Sequence, residues 1–172
     1  MSRVAWLVLV LVVAGCAGPG PEADEPAPTR ARSSPSPEDG GAPTSKPRDR
    51  TTEPGTVVTT GESPFGRMLF DDRGQAIYLF EPESEGRPAC YGECETAWPP
   101  VLTEGRPVAR GGLRQDMLDV VERRDGSRQV TYGGWPLYFY AHEDPGEVLC
   151  HDVVLNGGLW LAIGPDGSAL PA

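Results

Sequence analysis

The chain has 172 residues, 15 Lys+Arg against 25 Asp+Glu, a formal net charge of -10 and a sequence pI near 4.6. That acidity excludes binding of a nucleic-acid backbone or of anionic lipid through a basic patch, both of which need clustered positive charge. The length excludes a large α/β enzyme, and 22 Gly with 19 Pro point to turns and linkers rather than long helices.

The N-terminus reads MSRVAWLVLVLVVAGC. Arg3 supplies a positive start, and Val4 to Ala14 is an apolar run of 11 residues. A bilayer span needs about 20 residues. The run therefore has the length of a signal-peptide core. It ends in Val13-Ala14-Gly15-Cys16, which resembles the lipobox of bacterial lipoproteins. Residues 1–15 are read as a lipoprotein signal peptide and Cys16 as the lipidation site. The partner expected from this address is a membrane, held through N-terminal acyl chains such as palmitate. The location expected is the outer side of the bacterial cell membrane. Two or three acyl chains anchor a protein stably.

Residues 16–56 are read as the lipidated Cys followed by a disordered tether. Ala17 to Thr56 contain no Val, Ile, Leu, Met, Phe, Trp, Tyr or Cys, and hold 9 of the 19 prolines. Such a stretch cannot bury enough apolar surface to offset its conformational entropy. Its reach lies between about 35 Å as a flexible coil and roughly 120 Å as polyproline II.

Apolar residues return at Val57, so residues 57–172 are read as the folded domain. It has 18 acidic and 9 basic residues, all of the latter Arg. Two segments match at an offset of 60: Phe70 to Phe80 and Val130 to Tyr140. Gly74 aligns with Gly134, Tyr78 with Tyr138, Phe80 with Tyr140 and Glu83 with Glu143. Each reads as strand, glycine turn, strand. Ile77 and Leu79 alternate with Tyr78 and Phe80, so both strand faces are apolar or aromatic and both are expected to be covered. A further hairpin is expected around Asp125-Gly126, and another turn at Pro165-Asp166-Gly167. Leu113, Met117 and Val120 have helical spacing, and Glu95 to Trp98 form a second helical turn before Pro99-Pro100. The fold class is mainly β: a small antiparallel domain of two related hairpin-based repeats, about 66–101 and 126–163, with short helical turns.

These motifs carry a resemblance. Tyr78-x-Phe80-x-x-Glu83, Cys90-x-Gly92-x-Cys94 before Trp98-Pro99-Pro100, Tyr138-x-Tyr140-x-x-Glu143 and Gly157-Gly158-x-Trp160 together are similar to the "secreted repeat of unknown function" lipoproteins. The family's aspartate is Glu in both copies, although Asp144 stands one place later. The resemblance implies an envelope location. It implies no reaction and no cofactor, and no catalytic residue is expected. The leading expectation is a lipid-anchored, non-catalytic envelope domain that binds or presents a partner, a protein or a small molecule.

Three cysteines follow Cys16: Cys90, Cys94 and Cys150. An oxidising envelope favours disulfides, and all three pairings stay open. Loop entropy favours a bridge that includes Cys150, which closes 55 to 60 residues and stabilises by about 4 kcal/mol. The alternative is redox or metal handling by Cys90, Cys94, Cys150 and His151, a sulfur and imidazole set suited to zinc or copper(I). His142, in an acidic loop, has no accompanying nucleophile motif. Asp144, Glu147 and Asp152 lack the spacing of a calcium loop.

Overall fold

The computed structural model describes residues 53–171; the expected signal peptide, Cys16 and nearly all of the tether lie outside them. The described chain is mainly β, as expected. In order it forms β1 (Pro54–Ser63), β2 (Gly66–Asp71), β3 (Tyr78–Phe80), α1 (Glu93–Ala97), β4 (Arg106–Ala109), β5 (Leu118–Glu122), β6 (Arg128–Tyr132), β7 (Trp135–Pro136), β8 (Val153–Leu155) and β9 (Gly158–Ala162). Single 3-10 turns sit at Glu81–Glu83 and Gln115–Met117.

Three small sheets result, with strand orders β2-β1-β4, β3-β9-β8 and β5-β6-β7. All named pairings are antiparallel except β1 with β4. That exception corrects the domain boundary. Residues 54–56, expected in the tether, belong to β1. They carry no large apolar side chain, yet their backbone is held: the Arg106 N–H donates to Glu53 O (2.7 Å), and the Thr56 N–H donates to Thr103 Oγ1 (3.0 Å). Strand pairing here overrides composition.

The two matched segments fold alike and face each other. After β2 the chain turns at Gly74 (φ 87°) and returns so that the Ile77 N–H donates to Leu69 O (3.1 Å). After β6 it turns at Gly134 (φ 89°), and the Leu137 N–H donates to Val130 O (3.0 Å). The returning strands meet at their centres. Tyr78 N–H donates to Tyr138 O (2.9 Å), and Tyr138 N–H donates to Tyr78 O (3.0 Å). This reciprocal pair marks an approximate two-fold axis between the repeats.

The alternation read from the sequence separates two cores. Ile77, Leu79, Val130, Tyr132 and Leu137 lie in one. Tyr78, Phe80, Trp98, Tyr138, Tyr140 and Trp160 lie in the other, with Cys90 and Cys150. Each returning strand is thus buried on both faces, which fixes its register, because a one-residue slip would exchange the two cores. In the aromatic core the Trp98 and Trp160 rings stack at 3.8 Å with 2° between planes, and Phe80 stacks on Trp160 at 4.3 Å.

The hairpin at Asp125-Gly126 joins β5 to β6 as expected. The helical spacing of Leu113, Met117 and Val120 gives only the 3-10 turn Gln115–Met117, and Val120 lies in β5 instead. Pairing with β6 overrides the local spacing. The helical turn before Pro99-Pro100 is α1, which starts at Glu93 and ends at Ala97.

Candidate functional site

The motif residues converge on the two-fold axis, but not within their own repeats. The Tyr78 hydroxyl donates to Glu143 Oε1 (2.6 Å), and the Tyr138 hydroxyl donates to Glu83 Oε1 (2.9 Å). Each tyrosine therefore reaches across the axis to the acid of the other repeat. All four residues are buried. Glu83 is placed by the 3-10 turn after β3, and its Oε1 also accepts from the backbone N–H of Ala89 (2.6 Å) and Cys90 (2.9 Å). Glu143 Oε1 also accepts from the Leu149 N–H. The second oxygen of each carboxyl, Oε2, is buried without a partner.

Burial without full pairing disfavours the ionised form. Desolvation accordingly pushes both carboxyls above the ordinary carboxylate range, against the opposing hydrogen bonds. The two phenols are pushed upward as well, mainly by burial and then by the acids they face. At neutral pH the tyrosines are neutral donors. The arrangement clasps the repeats together; its reactive atoms face the core and not an open cleft.

Trp98 and Trp160 pack beside the clasp, and both indole N–H groups are paired. Trp98 Nε1 donates to Asn156 Oδ1 (3.1 Å), and Trp160 Nε1 donates to Leu155 O (3.0 Å). Asn156 was not singled out by sequence reasoning. Its signal is the Asn156-Gly157 pair, a hairpin turn (Asn156 φ 49°) that joins β8 to β9.

The cysteines pair as Cys90–Cys94. This corrects the preference for linking one of them to Cys150. The geometry of the chain decides it: α1 starts at Glu93 and brings Cys94 back to within 5.3 Å of Cys90, Cα to Cα. So small a loop gains about 2 kcal/mol by chain entropy, less than the long loop would. Cys150 is fully buried in the aromatic core. The metal alternative loses two of its four ligands to this bridge, since disulfide sulfurs are not thiolates. His151 has other duties: its Nδ1 accepts from the Ala162 N–H (3.1 Å) and its Nε2 lies 3.0 Å from Pro171 O. The imidazole that fits both contacts is neutral, with the proton on Nε2. Among the described residues no group of three or more His, Cys, Asp or Glu is placed to hold a metal.

Against the disulfide loop lies a buried cation. The Arg123 side chain is fully buried, and its Nη1 donates to Gln129 Oε1 (2.7 Å). Its Nη2 donates to Cys90 O (2.9 Å) and pairs with Glu95 Oε2 (3.1 Å). Its Nε has no partner. The guanidinium also covers the Tyr91 ring at 4.3 Å. Sequence reasoning did not single out Arg123; among nine arginines in an acidic domain nothing in the local pattern marks the buried one.

His142 is exposed and meets the Tyr140 ring at 5.5 Å. Asp144, Glu147 and Asp152 are exposed. One open surface feature among the described residues is a groove of about 330 Å³ lined by Thr59, Thr60, Glu62, Phe70, Asp72 and Gly146, among others.

No curated protein and no solved structure matches the chain. A family model described as "Secreted repeat of unknown function" matches residues 119–152, a stretch that runs from β5 through the second tyrosine motif to Cys150. The resemblance read from the motifs is thereby supported: residues 119–152 of the chain are similar to a secreted repeat of unknown function.

Proposed function

We propose that this chain is a lipid-anchored envelope protein whose folded domain binds or presents a partner and catalyses no reaction. The observation that carries the reading is the Val13-Ala14-Gly15-Cys16 sequence directly after an apolar run too short to span a bilayer. The family description, a secreted repeat, supports an extracytoplasmic location. The Pro-rich stretch from Ala17 supports a spacer between the anchor and the domain.

The non-catalytic part is supported by where the polar groups point. Tyr78, Tyr138, Glu83 and Glu143 are the strongest cluster of perturbed groups, and all four close on one another inside the core. A general acid or base must reach its substrate, and these do not. The groove beside Phe70 offers an apolar floor with Glu62 and Asp72 at its side, a surface suited to a ligand with apolar and cationic parts.

Labelling of the full chain with radioactive palmitate in a bacterial host tests the anchor. Label is expected in the wild-type protein and in the membrane fraction, and both are expected to vanish in Cys16→Ala. An unlabelled wild-type chain released into the medium would overturn the reading.

A further inference from the structure

We infer that the Cys90–Cys94 bridge is a thiol–disulfide exchange site, with Cys94 as the sulfur that a partner dithiol attacks and Cys90 as the leaving thiolate. The exchange is stoichiometric, one partner dithiol per bridge, so it adds to the anchored, non-catalytic binding role and does not depend on it.

Three independent features of the loop lead here. The first is an asymmetry of access. Cys90 is 1% exposed and lies in the aromatic core, whereas Cys94 is only partly buried, at the edge of that core. An incoming thiolate therefore has better access to Cys94 than to Cys90. The second is the buried charge. Arg123 holds the Cys90 carbonyl from Nη2, and its Nε–H has no acceptor in a fully buried side chain. A buried donor without a partner is costly. It finds use when negative charge appears beside it, and thiolates are stabilised by a neighbouring guanidinium. The third is the size of the loop. A bridge four residues apart gains only about half of the ~4 kcal/mol that a bridge to Cys150 would, so stability is the weaker reason for it.

A thiolate of the partner dithiol attacks Cys94 Sγ, forming a mixed disulfide as the Cys90–Cys94 bond breaks. The electron pair of that bond leaves on Cys90 Sγ, in the residue whose carbonyl Arg123 Nη2 holds, and a proton from solvent neutralises it afterwards. The partner's second thiolate then attacks the partner's own sulfur in the mixed disulfide, releasing Cys94 as thiolate. Two electrons and two protons pass from the dithiol to the bridge, and the partner leaves as a disulfide. The reverse sequence oxidises nothing but the Cys90–Cys94 pair. Opening is compatible with the folded state, because Glu83 holds the Ala89 and Cys90 amides through Oε1 irrespective of the sulfur.

The test is reduction of the oxidised full chain by dithiothreitol without denaturant, with alkylation mapped by peptide mass spectrometry. The bridge is expected to open at least ~100-fold faster than the protein unfolds, because Cys94 is reached in the folded state. In single variants, iodoacetamide is expected to label Cys94 in Cys90→Ser at least ~100-fold faster than Cys90 in Cys94→Ser. Arg123→Met is expected to slow opening at least ~10-fold, and Arg123→Lys, which keeps the charge, to restore most of the rate. Opening that waits for global unfolding overturns the proposal. Equal labelling of the two variants overturns the assignment of Cys94. The first measurement uses unaltered protein, so a variant that fails to fold leaves the decision to it. Palmitate labelling is untouched by any of these outcomes.

Discussion

The two repeats use one device in two settings. In the clasp built on Glu83, the carboxyl accepts from two backbone amides and the Tyr138 hydroxyl, and the positive charge of Arg123 lies close enough to favour ionisation. In the clasp built on Glu143, the carboxyl accepts from the Leu149 amide and the Tyr78 hydroxyl, and the negative charge of Glu147 opposes ionisation. One acid is wrapped by a disulfide loop and a cation. Its counterpart sits under an exposed acidic loop. The backbone repeats more faithfully than the electrostatics around it, so the halves share a fold while differing in charge environment.

Breaking the element common to both halves has the largest expected effect. Trp160→Ala removes the stack on Trp98 and Phe80 and empties the aromatic core, which should cost about 3–5 kcal/mol. Urea unfolding followed by tyrosine fluorescence measures it. Next come the hydroxyls. Tyr78→Phe and Tyr138→Phe should each cost about 1–3 kcal/mol, because each strands part of a buried acid. Tyr78→Phe should cost more, since Glu143 Oε1 then keeps the Leu149 amide whereas Glu83 Oε1 keeps two amides. Equal midpoints for the pair would show the settings to be equivalent after all.

A backbone pair sharpens the same contrast. Gly86 and Gly146 occupy matching positions, both with positive φ (75° and 91°). A Cβ at Gly86 would lie 2.9 Å from Gly134 O, while one at Gly146 meets nothing within 4 Å. Gly146→Ala should therefore cost only the left-handed conformation, about 1–2 kcal/mol, and Gly86→Ala more than that. Thermal unfolding of the two variants checks the order.

The smallest effect is a pH slope. Both acids have folded-state pKa values above their unfolded values. Their contribution to stability is then fully present below the unfolded carboxylate pKa and is lost as pH rises through the folded values. Stability should therefore fall from mildly acidic to neutral pH. Glu143→Gln, which stays neutral, should flatten that slope more than Glu147→Gln does. A slope unchanged in Glu143→Gln would remove this acid from the account.

Much of this was legible from the residues. Apolar residues on both faces of Ile77 to Phe80 announced a strand covered twice, and two cores are what they build. The matched segments and the Asp125-Gly126 turn gave the hairpins. What stayed hidden was long-range. β4 has no alternation strong enough to mark it, and it is held by a parallel partner some fifty residues earlier in the chain. The clasp was misleading in a specific way. Tyr78 and Glu83 are five residues apart, as are Tyr138 and Glu143, so the spacing looks local. The bonds instead cross between repeats, and only the arrangement of the returning strands about the axis reveals that. Residues for the disulfide were named, but the choice of partner rested on loop entropy, and the fold of the Cys90 loop onto α1 decided otherwise.

The crossing of those bonds sets the order in which the chain becomes a protein. While synthesis has delivered only the first repeat, Tyr78 has no Glu143 to meet and Trp98 has no Trp160 to stack on. Contacts this far apart in sequence close late. The first repeat therefore cannot complete its clasp or its aromatic stack until the second has been made. A chain that delays its own closure in this way remains threadable, which is the state in which a polypeptide passes through a narrow pore.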